Sequence, residues 1–165
     1  DIQHHINPRE VVDWILKKKV CGVANGKAEF GPRALGNRSL LGDVRYDIKR
    51  TVNRIKRRQN FRPFAPAILS EYADEYFEGP MNRYMQFVAQ AKHDYSSVTH
   101  VDNSARVQLV TPECKTVLRP ILEEYYERTG VPMLLNTSLN IKGQPIVDNW
   151  QHAMDFQKMY GVKVF

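Results

Sequence analysis

The sequence predicts an α/β (α+β) domain, a twisted mixed sheet with flanking helices. Three observations predict it. Short apolar runs with strand character alternate along the chain with segments of helical period. The 165 residues suit a single domain with one substantial core. The composition, 42% hydrophobic and 25% charged, is that of a globular protein, without repeats or low-complexity tracts.

The elements follow in order. Asn7-Pro8-Arg9-Glu10 opens a helix: Asn7 caps it, Pro8 suits its first turn and Glu10 sits at the reciprocal capping position. Val11, Val12, Ile15 and Leu16 then recur at helical spacing. Residues 20–24 read as a short buried strand, residues 30–39 as a glycine-punctuated loop, and Leu40-Leu41 as another strand. Residues 47–58 are helical, with Ile48, Val52 and Ile55 on one face and bases around the rest. Pro63 and Pro66 make 61–68 extended. A short helix over 70–77 has Ser70 as its cap, and 85–91 and 106–110 alternate as strands do. Residues 116–129 form a helix stopped by Gly130, with Pro120 either kinking it or marking its start. Residues 131–136 are a buried strand running into a polar turn, and Ile146-Val147 is strand-like. Asp148 or Asn149 caps a last helix ending near Gly161, and 162–165 closes as a strand.

The net charge is +6, and much of it lies in Lys49, Arg50, Arg54, Lys56, Arg57, Arg58 and Arg62. Such a balance suits an acidic partner: nucleic acid, an anionic membrane or phosphorylated small molecules. No apolar run approaches the roughly 18 residues of a membrane span, so no membrane partner is expected. Residues 1–5 have neither the basic flank nor the apolar stretch of a signal peptide. Cys21 and Cys114 form no CxxC pair, so two free thiols in a reducing cytoplasm are expected.

Four segments carry more polarity than ordinary loops need. In Glu29 to Ser39, Arg33, Asn37 and Arg38 are framed by Gly31 and Gly36. Glycines let backbone approach a ligand, and guanidinium forks bind phosphate oxygens in pairs. The bland alternative pairs Arg33 with Glu29 and Arg38 with Asp43. In Lys56 to Pro66, bases leave a helix end and enter a proline-stiffened strand. That is either an anion site or a solvated basic face complementing the helix C-terminus. In Thr99 to Gln108, His100 and Asp102 are an acid–base pair or a structural hydrogen bond. Arg106 and Gln108 on one strand face imply a wet cleft. Asn136 to Asn140 puts amides and hydroxyls after a buried strand, a ligand position in α/β sheets or simply an Asx turn. There is no GxxxxGK[ST] loop and no zinc-like Cys/His spacing, so no metal ligands are assigned.

Together these segments resemble the C-terminal domain of the carbamoyltransferase family that includes nodulation and antibiotic O-carbamoyltransferases. Residues 26–39 look like that family's GRxEFGPRALGNRS signature. NRIKRRQNFRPFAP is similar to NxxIKxREpFRPFAP, THVDNSARVQ to THVDGTARVQ, and GVPMLLNTSLNIKGQPIV to GVPxLLNTSFNxxGEPIV. The likeness runs from Val20 to Val147. It implies a YrdC-like fold, with residues 1–165 one domain of a longer two-domain enzyme. An N-terminal Kae-like domain would bind iron and the acceptor hydroxyl. The YrdC-like domain would convert ATP and carbamoyl phosphate to carbamoyladenylate, with Mg²⁺ accompanying the ATP.

YrdC-like proteins use a Lys-x-Arg and Ser-x-Asn constellation, matched here by Lys56-Arg57-Arg58 and Ser138-Leu139-Asn140. The resemblance therefore implies Lys56, Arg62, Arg106 and Ser138 as catalytic residues. Arg33, Asn37, Arg38, Arg58, Asn136 and Asn140 would bind substrate and nucleotide, with His100 and Asp102 behind them. Lys27, Gln59, Leu139 and Gln144 depart from the family's usual Arg, Glu, Phe and Glu. Leu139 in particular would weaken a stacking wall. The alternative from another class is an RNA-binding or tRNA-modification module, since the stretch 49–62 is basic and carries Phe61.

Overall fold

A computed structural model describes residues 5–25, 36–59, 62–140, 145–147 and 149–165. A helix α1 (Pro8–Lys18) leads into strands β1 (Val20–Ala24) and β2 (Arg38–Gly42), then helix α2 (Lys49–Lys56) and strand β3 (Ala65–Leu69). A short helix α3 (Ala73–Tyr76) precedes three brief strands, β4 (Phe77–Glu78), β5 (Ala89–Ala91) and β6 (Ser104–Ala105). Strand β7 (Gln108–Val110), helix α4 (Leu118–Thr129), strand β8 (Met133–Ser138) and helix α5 (Trp150–Tyr160) complete the order.

The large sheet runs β1-β2-β8-β3-β7, antiparallel except for the parallel pair β3 and β7. Strands β4, β5 and β6 form a separate antiparallel sheet. This is the mixed α/β architecture with flanking helices that the sequence predicts.

Alternation along the strands sorts the core into two layers. Cys21, Val23, Leu41 and Leu134 face α1 and α4, meeting Val12, Ile15, Ile121 and Leu122. Val20, Leu40, Met133 and Leu135 face the other way, toward Val52 of α2 and Phe156 of α5. Each such fully buried aliphatic side chain contributes ~1.5–3 kcal/mol relative to exposure. Asn7 caps α1 by accepting from the Arg9 N–H at 3.0 Å, and Asn149 caps α5 through the His152 N–H at 2.9 Å. Pro120 falls in the first turn of α4, so it starts the helix and does not kink it. Cys21 and Cys114 are free.

Both flanks of the large sheet are covered by neighbouring backbone. Beside β1, Gly22 N–H donates to Lys163 O, Phe165 N–H to Gly22 O and Ala24 N–H to Phe165 O. Beside β7, Leu109 N–H donates to Asn82 O.

Four local expectations change. Residues 85–88 are not strand: Met85 takes φ +57°, and the Asn82 carboxamide accepts from the Tyr84 and Gln86 N–H groups, closing a turn. Ser70 does not cap; it lies inside a 3₁₀ turn and its hydroxyl donates to Glu71. Ile146-Val147 is not a strand, though Val147 N–H donates to Leu139 O. Residues 162–165 contribute one bridge, Val164 beside Gly22, in place of a full strand.

Candidate functional site

One rim of the large sheet collects the ends of all four polar segments. Ser39 at the start of β2 lies opposite Ser138 at the end of β8, and Ala65 at the start of β3 lies opposite Asn136. Strand β7 runs parallel to β3, with Gln108 beside Ala67, so its start reaches the same rim. Segments far apart in sequence therefore meet because β2, β3 and β7 begin where β8 ends.

Helix α2 brings the bases. It ends at Lys56 with Arg57 in the left-handed conformation, φ 55°, and the Arg58 N–H reaches back to Asn53 O. That turn sends Lys56 and Arg58 in different directions. Lys56 is 4% exposed and its ammonium donates to Ser138 O at 2.8 Å, Ser138 Oγ at 3.0 Å and Asn140 Oδ1 at 3.1 Å. Burial, reinforced by Arg58 and then Arg62, lowers its pKa to about 7. Buried Asn53 organises the arginines: its Oδ1 accepts from Arg58 Nε at 2.9 Å, and its Nδ2 donates to Arg62 O at 2.7 Å. The Arg58 guanidinium lies 4.3 Å over the Phe64 ring. Burial and then Arg62 lower its pKa to about 10.

In front of this framework lies a cavity of about 310 Å³. Arg58, Arg62 and Arg106 line it, with His100, the strand end 136–138 and an apolar wall that includes Phe64 and Met85. No carboxylate appears among the described lining residues. Three guanidinium groups that meet no carboxylate among the described residues, beside hydroxyls and amides, are able to hold phosphate oxygens.

The remaining predicted residues take other places. Asn136 is 2% exposed and its carboxamide donates to Gln108 at 2.7 Å, so Gln108 is buried and the wet cleft belongs to Arg106 alone. His100 lines the cavity itself, nearer than a supporting position. Asp102 does not form a hydrogen-bonded pair with it. Its carboxylate accepts from the Ser104 N–H at 3.0 Å and the Ser104 hydroxyl at 2.6 Å, which lowers its pKa.

Arg38 is fully buried and donates to the carbonyls of Val147, Asn25 and Asn37, not to Asp43. Neither Arg38 nor Asn37 lines the cavity. Leu139 is also fully buried, packed against Gly22 and the core, so its departure from the family pattern touches no cavity wall. Arg33, Lys27 and Gln144 lie outside the described residues. Asn53 and Phe64 lie outside the sequence-predicted set, although an asparagine on the buried side of a basic helix is a signal for both guanidinium anchoring and a helix-end turn.

The family model described as carbamoyltransferase C-terminus matches residues 12–165. The chain is 44% identical over 152 residues to nodulation protein NolNO of Sinorhizobium fredii, covering 86% of this chain and 22% of that protein. It is 40% identical over 152 residues to nodulation protein NolO of Bradyrhizobium diazoefficiens, covering 86% of this chain and 28% of the relative. It thus spans about a quarter of the length of these curated relatives. Among solved structures, full-length HypF in a phosphate- and nucleotide-bound form shares the fold, with a TM-score of 0.65 and 16% identity. That match covers 96% of this chain and 20% of HypF. With nearly its whole length inside the family model and its polar segments on one rim, the chain belongs to the carbamoyltransferase C-terminus family.

Proposed function

We propose that the arginine-lined cavity binds ATP and carbamoyl phosphate and forms carbamoyladenylate for an O-carbamoyltransferase. The observation that carries this reading is three arginines in a lining with no carboxylate among its described residues, beside the Lys56–Ser138–Asn140 cluster. Two phosphorylated substrates bring several negative charges into one space, and only a cation-rich wall offsets them. HypF, whose fold this chain shares, has been seen with phosphate and nucleotide bound. The acceptor hydroxyl would belong to the remainder of a longer protein.

In this reading the net reaction consumes carbamoyl phosphate, ATP and water, and releases phosphate and pyrophosphate. Hydrolysis of carbamoyl phosphate yields carbamate. A carbamate oxygen then forms a bond to the α-phosphorus while the bond to the pyrophosphate oxygen breaks. Arg58, Arg62 and Arg106 hold the phosphate oxygens and offset charge as it moves to the leaving group. The Ser138 hydroxyl and the Asn136 amide, both in the cavity lining, orient the carbamoyl group, while Asn140, outside that lining, accepts from the Lys56 ammonium. Lys56 fixes the Ser-x-Asn turn and adds a positive charge behind it. No group of three His, Cys, Asp or Glu able to hold a metal ion occurs among the described residues. Mg²⁺ would enter on the nucleotide's own phosphates.

Calorimetric titration of the chain with carbamoyl phosphate and with ATP tests the reading, followed by a pyrophosphate-release assay with both present. Saturable binding of each is expected. A folded sample that binds neither would overturn the proposal.

A further inference from the structure

Ser138 sits in an arrangement that ligand binding alone does not require. Its Oγ lies 3.0 Å from Lys56 Nζ, and the residue lines the arginine cavity. A hydroxyl and a buried amine therefore meet at the ligand surface. Helix α2 supplies the amine and β8 the hydroxyl, from positions 82 residues apart. Two further contacts fix the pair. Lys56 also donates to Ser138 O at 2.8 Å, so it holds the strand end at two points. Asn140 Oδ1 accepts from the ammonium at 3.1 Å and from the Ser138 hydroxyl.

The two groups match in chemistry as well as in place. A serine hydroxyl attacks a carbonyl carbon when a base takes its proton, and an amine that is neutral near pH 7 is such a base. Burial, then Arg58 and Arg62, lower the Lys56 pKa to about 7, so ammonium and amine are both populated at neutrality. The ammonium helps to hold an anion; the amine is free to take a proton. A serine and a lysine at hydrogen-bond distance serve acyl transfer on unrelated folds. The same wall can hold a phosphate leaving group, since Arg58, Arg62 and Arg106 line the cavity with Ser138.

We propose that Ser138 attacks the carbamoyl carbon of carbamoyl phosphate, with Lys56 as its base, and carries the carbamoyl group until water releases carbamate. The inference rests on the carbamoyl phosphate half of the reading above and supplies the route of its hydrolysis. In the first step Ser138 Oγ bonds to the carbonyl carbon, and the bond from that carbon to the bridging oxygen breaks. The hydroxyl proton passes to the Lys56 amine and on to the departing phosphate. In the second step water gives a proton to Lys56, and its oxygen bonds to the same carbon. The Ser138 oxygen leaves and takes back that proton. Carbamic acid then loses a proton to become carbamate. Nothing is oxidised or reduced, and the bridging oxygen stays with phosphorus.

The test incubates the chain with carbamoyl phosphate in ¹⁸O-labelled water, with and without ATP. Attack at carbon leaves the released phosphate free of label. Attack of water at phosphorus labels it, and overturns the inference. After acid quench, peptide mass spectrometry finds one carbamoyl group on Ser138, absent from Ser138→Ala. At saturating carbamoyl phosphate, Ser138→Ala lowers the rate of phosphate release by about a thousandfold, while calorimetry shows affinity weakened by no more than about tenfold. A serine that only orients its ligand leaves the saturated rate within about tenfold of wild type, and that result also overturns the inference. Thermal melts check folding; if Ser138→Ala fails to fold, the isotope position and the wild-type peptide decide. Wild type that binds carbamoyl phosphate but never carries the group on Ser138 sinks the covalent route alone. Wild type that does not bind carbamoyl phosphate sinks the reading beneath it as well.

Discussion

The two ends of the large sheet each bury a charged cluster, and the clusters are built on opposite principles. At the end of β2 remote from the cavity, fully buried Asp43 accepts from the Tyr125 hydroxyl at 2.6 Å and from Arg45 at 3.0 and 2.8 Å. One carboxylate, one guanidinium and one hydroxyl balance each other there. Burial, and then the bond to Asp43, raise the Tyr125 pKa well above the usual tyrosine range. At the other end, Lys56 meets only neutral acceptors among the contacts described, and three arginines face a cavity with no carboxylate among its described lining residues. A structural cluster completes its own electrostatics; a binding cluster leaves the anion to be supplied.

The comparison can be broken in order of expected effect. Asp43→Ala strands a buried tyrosine hydroxyl and lowers unfolding free energy by about 3 kcal/mol in a urea titration. Affinity for carbamoyl phosphate stays as it was in the folded fraction. A loss below about 1 kcal/mol would mean the remote cluster is not structural in this sense. Lys56→Met does the reverse. A buried cation replaced by an apolar chain of similar length costs little stability, while calorimetry shows about a hundredfold weaker binding of carbamoyl phosphate and ATP.

The pH profile sharpens the same contrast. Lys56 has its pKa lowered from 10.5 to about 7 on folding. The unfolded chain therefore holds that proton more tightly, and between pH 7 and 10.5 this residue makes stability rise with pH. Anion binding needs the ammonium, so above pH 7 affinity falls by up to about tenfold per pH unit. Lys56→Met flattens both slopes; a wild-type affinity flat from pH 7 to 9 contradicts the assignment. The smallest effect belongs to the turn after α2. Arg57 is a non-glycine residue in the left-handed region, and Arg57→Gly raises thermal stability by about 0.5–1 kcal/mol.

Much of this was legible in the sequence because it is local. Asn7, Pro8 and Gly130 fix helix ends through their own backbone chemistry, and short apolar runs place β1 and β8. What failed was decided by side-chain partners that periodicity does not show. Residues 85–88 alternate like a strand, but Asn82 folds them into a turn. Arg38 reads as a phosphate ligand on its residue type, yet β2 carries it into the core, where backbone carbonyls take its N–H groups. Gln108 and Arg106 share a strand period only if one strand contains both; the switch between sheets at 106–107 separates them. The site was legible in its residue types and not in its arrangement. Sequence spacing cannot show that three strands begin where a fourth ends.

The backbone lying along β1 and β7 also bears on how the molecule keeps to itself. A sheet flank with unsatisfied amides is a template on which a stray chain can nucleate. Here residues 163–165 occupy one such template and Asn82 part of the other. Growth of the sheet from one molecule into the next is thereby discouraged at both margins.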